Sequence, residues 1–285
     1  MLSIKGVRWA DAVGFESCGV RIGLRATRPD LLNKIAPFLP PHWKAIDRPP
    51  KLDGLYSWIV ERQASHGRIV HTLYDGVQLI ALTRTARELL ETFERSARMK
   101  ISLLSPRFVF IHAGVVGWRG RAIVIPGRSM SGKSTLVREL VAAGADYFSD
   151  EFALLDRHGW VHPFPLPISI REPETFVQRP LKVQEIGGRI ATSPQTTGAI
   201  VVTGYKNGAR SRFRRSTSGQ GSLALMANAV AAREAPMRVL KSTCNASARA
   251  LVLRGSRGEA REAVGRVMAA LEERFTAGRE SHPGG

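Results

Sequence analysis

Residues 125–135 read IPGRSMSGKST, and this stretch limits the fold more than any other. Gly127, Gly132, Lys133 and Ser134 satisfy the pattern G-x-x-x-x-G-K-[ST]. Glycines at these two positions let the backbone curl so that successive N–H groups point inward, where they make a nest for an anion. The nest works only if a strand delivers the loop and a helix leaves it, because the helix adds the positive end of its dipole. Both are legible here. "RAIVIPG" is an apolar strand, and "KSTLVRELVAAG" has helical spacing and closes on Gly144, a residue that takes a left-handed stop at low cost. "ADYFSDEFALLD" then reads as the next strand, which "RHGWVHPF" turns back. Strand, glycine loop, helix and strand together predict an α/β unit that binds phosphate at the loop. Within the loop, Arg128, Ser129, Met130, Ser131 and Thr135 accompany the four pattern residues. Lys133 supplies a point charge for β- and γ-phosphates, and the Ser134 hydroxyl is a ligand for Mg²⁺.

Two further features sit at informative distances from the loop. Asp150-Glu151 ends the strand after the loop helix, 16 and 17 residues beyond Ser134. Adjacent side chains on an unbroken strand point to opposite faces, which leaves one carboxylate solvated. If the strand ends there instead, one carboxylate serves the metal and the other accepts a proton. His112 lies in "FVFIHAGVVGW", 21 residues before Lys133, on a strand expected to form a hairpin with the loop strand through Trp118-Arg119-Gly120. A histidine in an apolar strand is ordinarily a hydrogen-bonded core residue, but this pairing also lets its ring reach toward the phosphates.

On "IHAGVV…GRAIVIPGRSMSGKSTLVRELVAAGADYFSDEFALLD" the chain resembles the catalytic domain of the HPr serine kinase/phosphorylase family. Its shorter bacterial relatives, HPr-kinase-related proteins linked to modified-peptide biosynthesis, are the nearer likeness. The resemblance covers His112 to Asp156 well and the remainder in outline. It implies an α/β fold with a P-loop kinase domain of the HPr kinase/PEP carboxykinase-like type. It also implies ATP and Mg²⁺ as cofactors: Lys133 and the loop amides would hold ATP, while Ser134 and Asp150 would bind the metal. Glu151 would be general base toward a substrate serine, and His112 would position the phosphate or that base. Glu151 stands where the family has a second aspartate, and Ser169 of "PLPISIREPE" stands where an acidic ligand is sought. Arg171, Arg212 and Arg215 are the candidates for the family's late catalytic arginine.

The resemblance leaves three classes open: a kinase acting on a serine of a small protein or peptide, a small-molecule kinase on the same loop, and a nucleotide-binding partner without transfer chemistry. The intact acidic pair favours the first, since a pure sensor needs no base. Composition then limits the partners. Lys+Arg 42 against Asp+Glu 24 gives a net charge of +18, with the densest cluster in "ARSRFRRS". No helix-turn-helix, RRM or zinc pattern accompanies that charge, so the cluster is read as a phosphate contact, an acidic-partner contact or a solvated loop rather than a nucleic-acid surface. No run approaches the ~18 apolar residues of a membrane span. The N-terminus lacks a basic stretch followed by an apolar one, and Cys18 and Cys244 form no metal or disulfide pattern. The sequence is therefore read as a soluble cytoplasmic protein with two reduced core cysteines, and the resemblance is compatible with a homo-oligomer.

Upstream, a small mixed α/β module is expected over residues 1–98. "GVRIGLRAT", "LYSWIVER" and the hairpin "GRIVHTLYDGVQLIALT" read as strands. "RPDLLNKIAPFL" reads as a short helix entered at Pro29, followed by the proline-rich loop "LPPHWKAIDRPPKLDG". "TARELLETFERSARMKISLLS" reads as an amphipathic helix with Leu89, Leu90 and Phe93 on one face. The catalytic unit is expected over 99–275 and a frayed tail over 276–285.

Overall fold

The computed structural model describes residue 4 and residues 6–47, 51–62, 67–127, 131–171 and 178–280. The protein is a mixed α/β chain in two compact units, Met1–Arg107 and Phe108–Gly285. The first unit carries strands β1 (Asp11–Ser17), β2 (Val20–Ala26), β3 (Lys44–Ala45), β4 (Gly54–Arg62), β5 (Ile69–Asp75) and β6 (Gln78–Thr83), then helix α1 (Ala86–Leu104). Its sheet runs β3-β1-β2-β4-β5-β6, antiparallel except for the β2–β4 pair.

Helix α1 explains why the boundary falls after Arg107 and not at 98/99. Leu89, Leu90, Phe93, Ala97 and Ile101 are all buried, so the helix packs along its full length within this unit. Phe93 meets Tyr56 and Phe15 edge-on, with ring centroids 5.1 and 6.3 Å away. At the other end, the Thr85 hydroxyl accepts from the Glu88 N–H, a cap worth about 1 kcal/mol. The segment after Pro29 is not an α-helix. It forms two 3₁₀ turns, Pro29–Lys34 and Ala36–Phe38. Pro37 has no N–H to continue an α-helical ladder and restricts the residue before it. Cys18 is half-buried, its thiol pushed up to about 11 chiefly by burial, whereas Cys244 is exposed and not a core residue.

His71 gives this unit an acid-sensitive point. The Trp58 indole N–H donates to His71 Nδ1 at 3.2 Å, so the ring must stay neutral. Burial, with help from Lys34 and Arg28, holds its pKa below the ordinary 6.5. The unfolded chain therefore takes up the proton more readily, and stability falls as pH drops below 6.5 toward the depressed folded value. His71→Gln keeps an acceptor for Trp58 but does not titrate. The fall in melting temperature between about pH 7.5 and 5.5 is expected to shrink in this variant. An unchanged pH dependence would refute the assignment.

The second unit holds β7 (Val109–Trp118), β8 (Arg121–Pro126), α2 (Lys133–Ala142), β9 (Asp146–Ser149), β10 (Phe152–Leu155), β11 (Trp160–His162), β12 (Ile168–Arg171) and β13 (Gln178–Leu181). There follow β14 (Gln195–Tyr205), β15 (Arg212–Ser216), α3 (Ser218–Met226), α4 (Pro236–Ser247), β16 (Leu251–Arg257) and α5 (Ala260–Glu280). Helix α5 thus continues into the expected tail, and residues 281–285 lie outside the described residues. The main sheet runs β11-β10-β7-β8-β14-β16-β15, with β9 also on β7. Strands β8, β14 and β16 are mutually parallel, while β7 and β15 flank them antiparallel. Strands β12 and β13 form a separate pair.

Alternation along the three parallel strands builds a core on each face. Ile123, Ile125, Val201 and Leu253 pack with Leu136 and Leu140 of α2 and Val264, Val267 and Leu271 of α5. Ala122, Val124, Ile200 and Val252 pack with Leu225 of α3 and Val239 and Ala246 of α4. Strands β8, β14 and β16 all end at the same edge, so the glycine loop opens there, where ligands of open α/β sheets gather. Among the described residues no helix is long and apolar enough to cross a membrane.

Candidate functional site

Three segments meet at the mouth of the glycine loop, and main-chain hydrogen bonds hold them together. The Gly127 N–H donates to the His112 carbonyl, and the Ala113 N–H donates to the Glu151 carbonyl, both at 3.1 Å. Past the end of β8, residues 228–230 take over beside β7. The His112 N–H donates to the Asn228 carbonyl at 2.8 Å, and the Val230 N–H to the Phe110 carbonyl at 2.9 Å. His112 is thereby fixed on the α2 side of β7, its ring 4.9 Å from that of Phe152.

The expected single strand from Asp146 to Leu155 is two strands, interrupted at Asp150-Glu151. Ser149 is the cause. Its buried hydroxyl accepts from the N–H groups of Glu151 and Phe152 at 3.2 and 3.1 Å, which replaces ladder bonds with a local turn. The break frees the two carboxylates from strand alternation. Asp150 is buried, and its Oδ1 accepts from the Tyr147 hydroxyl at 3.3 Å. That hydroxyl shares its one proton with the Leu166 carbonyl, the nearer acceptor at 2.7 Å. Burial and Asp150 push the Tyr147 phenol far above its usual range, so it remains a donor. Glu151 is half-buried.

Lys133 opens α2, whose N-cap Gly132 has φ +80°. Helix α2 approaches β7 closely because Gly114 has no side chain: a Cβ there would stand 2.5 Å from Val137 Cγ2. This close approach sets Lys133 beside His112. Burial lowers the Lys133 pKa, and the charges of Asp150 and Glu151 partly offset that effect. Burial, then the Lys133 charge, lowers the pKa of His112, which is neutral at neutral pH. Lys133 is therefore coupled electrostatically to Asp150 and Glu151 on one side and to His112 on the other. Ser134 is half-buried and Thr135 exposed on the first turn of α2. Arg128, Ser129 and Met130 lie outside the described residues.

Arg257 completes the loop's support, and no sequence pattern announced it. It ends β16, is 3% exposed, and donates to the carbonyls of Gly132 at 2.8 Å and Gly258 at 3.0 Å. Its guanidinium lies 5.2 Å from the ring centroid of Tyr205, at the end of β14. The available signal was slight: Arg257 lies three residues beyond Arg254, which closes the apolar run Leu251–Leu253, and only the tertiary fold brings it to the loop. Of the expected arginines, Arg212 and Arg215 lie on β15, and Arg215 pairs with Glu273 at 3.3 Å. Arg171 ends β12, and Ser169 lies on the same strand. Arg257→Met should lower stability by about 1–3 kcal/mol, because two carbonyls lose their donor. Arg257→Lys should recover only part of this, lacking the planar fork. Denaturant midpoints check both, and no change in Arg257→Met would remove the fastening role.

The donor set suits the expected groups. The Ser131 hydroxyl oxygen and Arg257 Nε are buried and find no hydrogen-bond partner among the described residues, so both keep capacity for an anion at the loop. Ser134, Asp150 and Glu151 offer hard oxygen donors of the kind Mg²⁺ takes, usually with few protein ligands and several from phosphate. Among the described residues no cluster of three or more His, Cys, Asp or Glu side chains gathers to hold a metal unaided. No protein-family model matches the chain, and no curated protein matches it significantly.

Proposed function

We propose that the chain is an ATP- and Mg²⁺-dependent kinase of the HPr-serine-kinase-like type that phosphorylates a serine of a small protein or peptide. The observation that carries this reading is the juxtaposition of Lys133, at the start of α2 after the glycine loop, with His112, Asp150 and Glu151. Phosphoryl transfer asks for phosphate positioning, neutralised charge and a base near the incoming oxygen. The loop amides and Lys133 would hold the β- and γ-phosphates, and Ser134 and Asp150 the metal, which neutralises phosphate charge when bound. Glu151 would take the serine proton as the Oγ–P bond forms and the bond from the γ-phosphorus to the bridging oxygen breaks, leaving ADP. Neutral His112 would hold the phosphate or orient Glu151.

The charge pattern supports an acidic acceptor. Arg214 of β15 stands directly opposite Arg254 of β16, and Arg212 lies on the same face. Like charges so placed are mutually unfavourable unless an anion lies near. Replacing Arg212, Arg214 and Arg215 with Gln is expected to raise the acceptor KM about tenfold and leave ATP affinity unchanged. A fall in ATP affinity instead would move these arginines to the nucleotide.

The test of the proposal is transfer from γ-labelled ATP into a serine peptide library. The expected product is phosphoserine, formed faster on acidic peptides. Stimulation by metabolites alone would favour the small-molecule kinase, and turnover by neither would contradict the proposal.

A further inference from the structure

The end of the main sheet opposite the glycine loop carries a second concavity. It holds about 420 Å³, within the range of small-molecule sites. Four segments form it: the start of β8, the facing residues of β14, the turn between β10 and β11, and the end of α4 with the two residues that follow it. Arg121 opens β8 and Pro126 closes it, so the concavity and the glycine loop are about 16 Å apart along one strand.

Its walls are fastened to one another. Gly159, at φ +83°, sits so close to α4 that a Cβ would collide with the backbone at Asn245 and Ala246. The Thr197 hydroxyl donates to the Gly159 carbonyl at 3.4 Å, and Asn245 Nδ2 donates to the Arg157 carbonyl at 2.8 Å. The tight β10–β11 turn is thus pinned to both the sheet and the helix.

The lining has one electrostatic sign. Arg121 and Arg249 come from different elements, and among the described residues no carboxylate lines the cleft. The turn's own acid, Asp156, is engaged, accepting from the N–H groups of His158 and Trp160 and facing His162 Nε2 at 3.0 Å. His158 Nε2 accepts from Arg157 Nε at 2.8 Å, which leaves Nδ1–H as a donor. The end of α4 opposes an anion with about half a negative charge, against two whole positive ones. Trp160, 43% exposed, adds a flat apolar wall, and Thr196 adds a hydroxyl.

We propose that this cleft binds a small organic anion, with its oxyanion head held by Arg121 and Arg249 and its planar body against Trp160. Guanidinium forks match carboxylate and phosphate oxygens, and an indole face takes up a flat ring. The site is separate from the glycine loop and does not depend on the kinase reading.

Calorimetric titration of the whole chain with phenyl phosphate, benzoate and benzyl alcohol tests this. At least one anion is expected to bind saturably with Kd near or below about 1 mM, and the neutral alcohol is not. Tighter phenyl phosphate identifies a phosphate monoester as the ligand class, and tighter benzoate a carboxylate. The pair Arg121→Gln and Arg249→Gln should weaken binding at least about tenfold, while Lys at both positions should retain part of it. Trp160→Leu should weaken it several-fold, and all variants should remain folded with ATP affinity unchanged. Absence of saturable anion binding, full binding in the Gln pair, or loss of binding in Lys133→Ala would overturn the proposal.

Discussion

Lys133→Ala is expected to lower phosphoryl transfer by about 10²–10³-fold and ATP affinity by at least tenfold, because on the proposed reading it removes the charge that would meet the β- and γ-phosphates. The fold should survive. Lys133 is only half-buried, and its own desolvation opposes the charged form, so part of its interaction with Asp150 and Glu151 is already offset. Its loss leaves two neighbouring carboxylates without that cation, and a drop of a few degrees in melting temperature is expected. Radiolabel transfer and thermal unfolding on the same preparation separate the two effects. Transfer within a few-fold of wild type, with normal melting, would remove the loop from the mechanism.

Glu151→Gln and Asp150→Asn should fail in different ways. A proton acceptor acts in the chemical step, whereas a metal ligand also acts in binding. Glu151→Gln should cut transfer by about 10²–10⁴-fold with Mg·ATP affinity within about threefold. Asp150→Asn should weaken the Mg²⁺-dependent part of that affinity. It should remain folded, since an amide oxygen can still accept from the Tyr147 hydroxyl that contacts Asp150 Oδ1. Normal transfer by Glu151→Gln, or an exchange of the two phenotypes, would reverse the assignment.

Legibility followed the range of the interactions. The glycine loop, the β7–β8 hairpin, α2 and α1 were readable because each is specified by a local pattern of turn residues and apolar spacing. The 3₁₀ turns after Pro29 were not, and the break at Asp150-Glu151 was only one of two open readings, because each turns on one local bond: the N–H missing at Pro37 and the hydroxyl of Ser149. Strands β14 and β16, the partners that carry the loop strand into the sheet, have only short buried apolar stretches, Ala199–Val201 and Leu251–Leu253, whose pairing no local period reveals. The same limit hid Arg257 and Asn228. Arg257 reaches Gly132 from the far end of the unit's sequence, and Asn228 offers His112 a carbonyl that any residue type could supply. His112, by contrast, was locatable from its strand, because the β7–β8 hairpin brings its carbonyl to the Gly127 N–H where the loop begins.

The central claim is that the loop before α2, with Lys133 and the acidic pair, receives a metal-bound nucleoside triphosphate. Calorimetric titration of the whole chain with ATP, with and without Mg²⁺, tests it most directly. The account predicts saturable one-site binding with Kd below about 1 mM, tightened by Mg²⁺ and lost in Lys133→Ala. Absence of saturable binding in the presence of Mg²⁺, or equal affinity in Lys133→Ala, would contradict it.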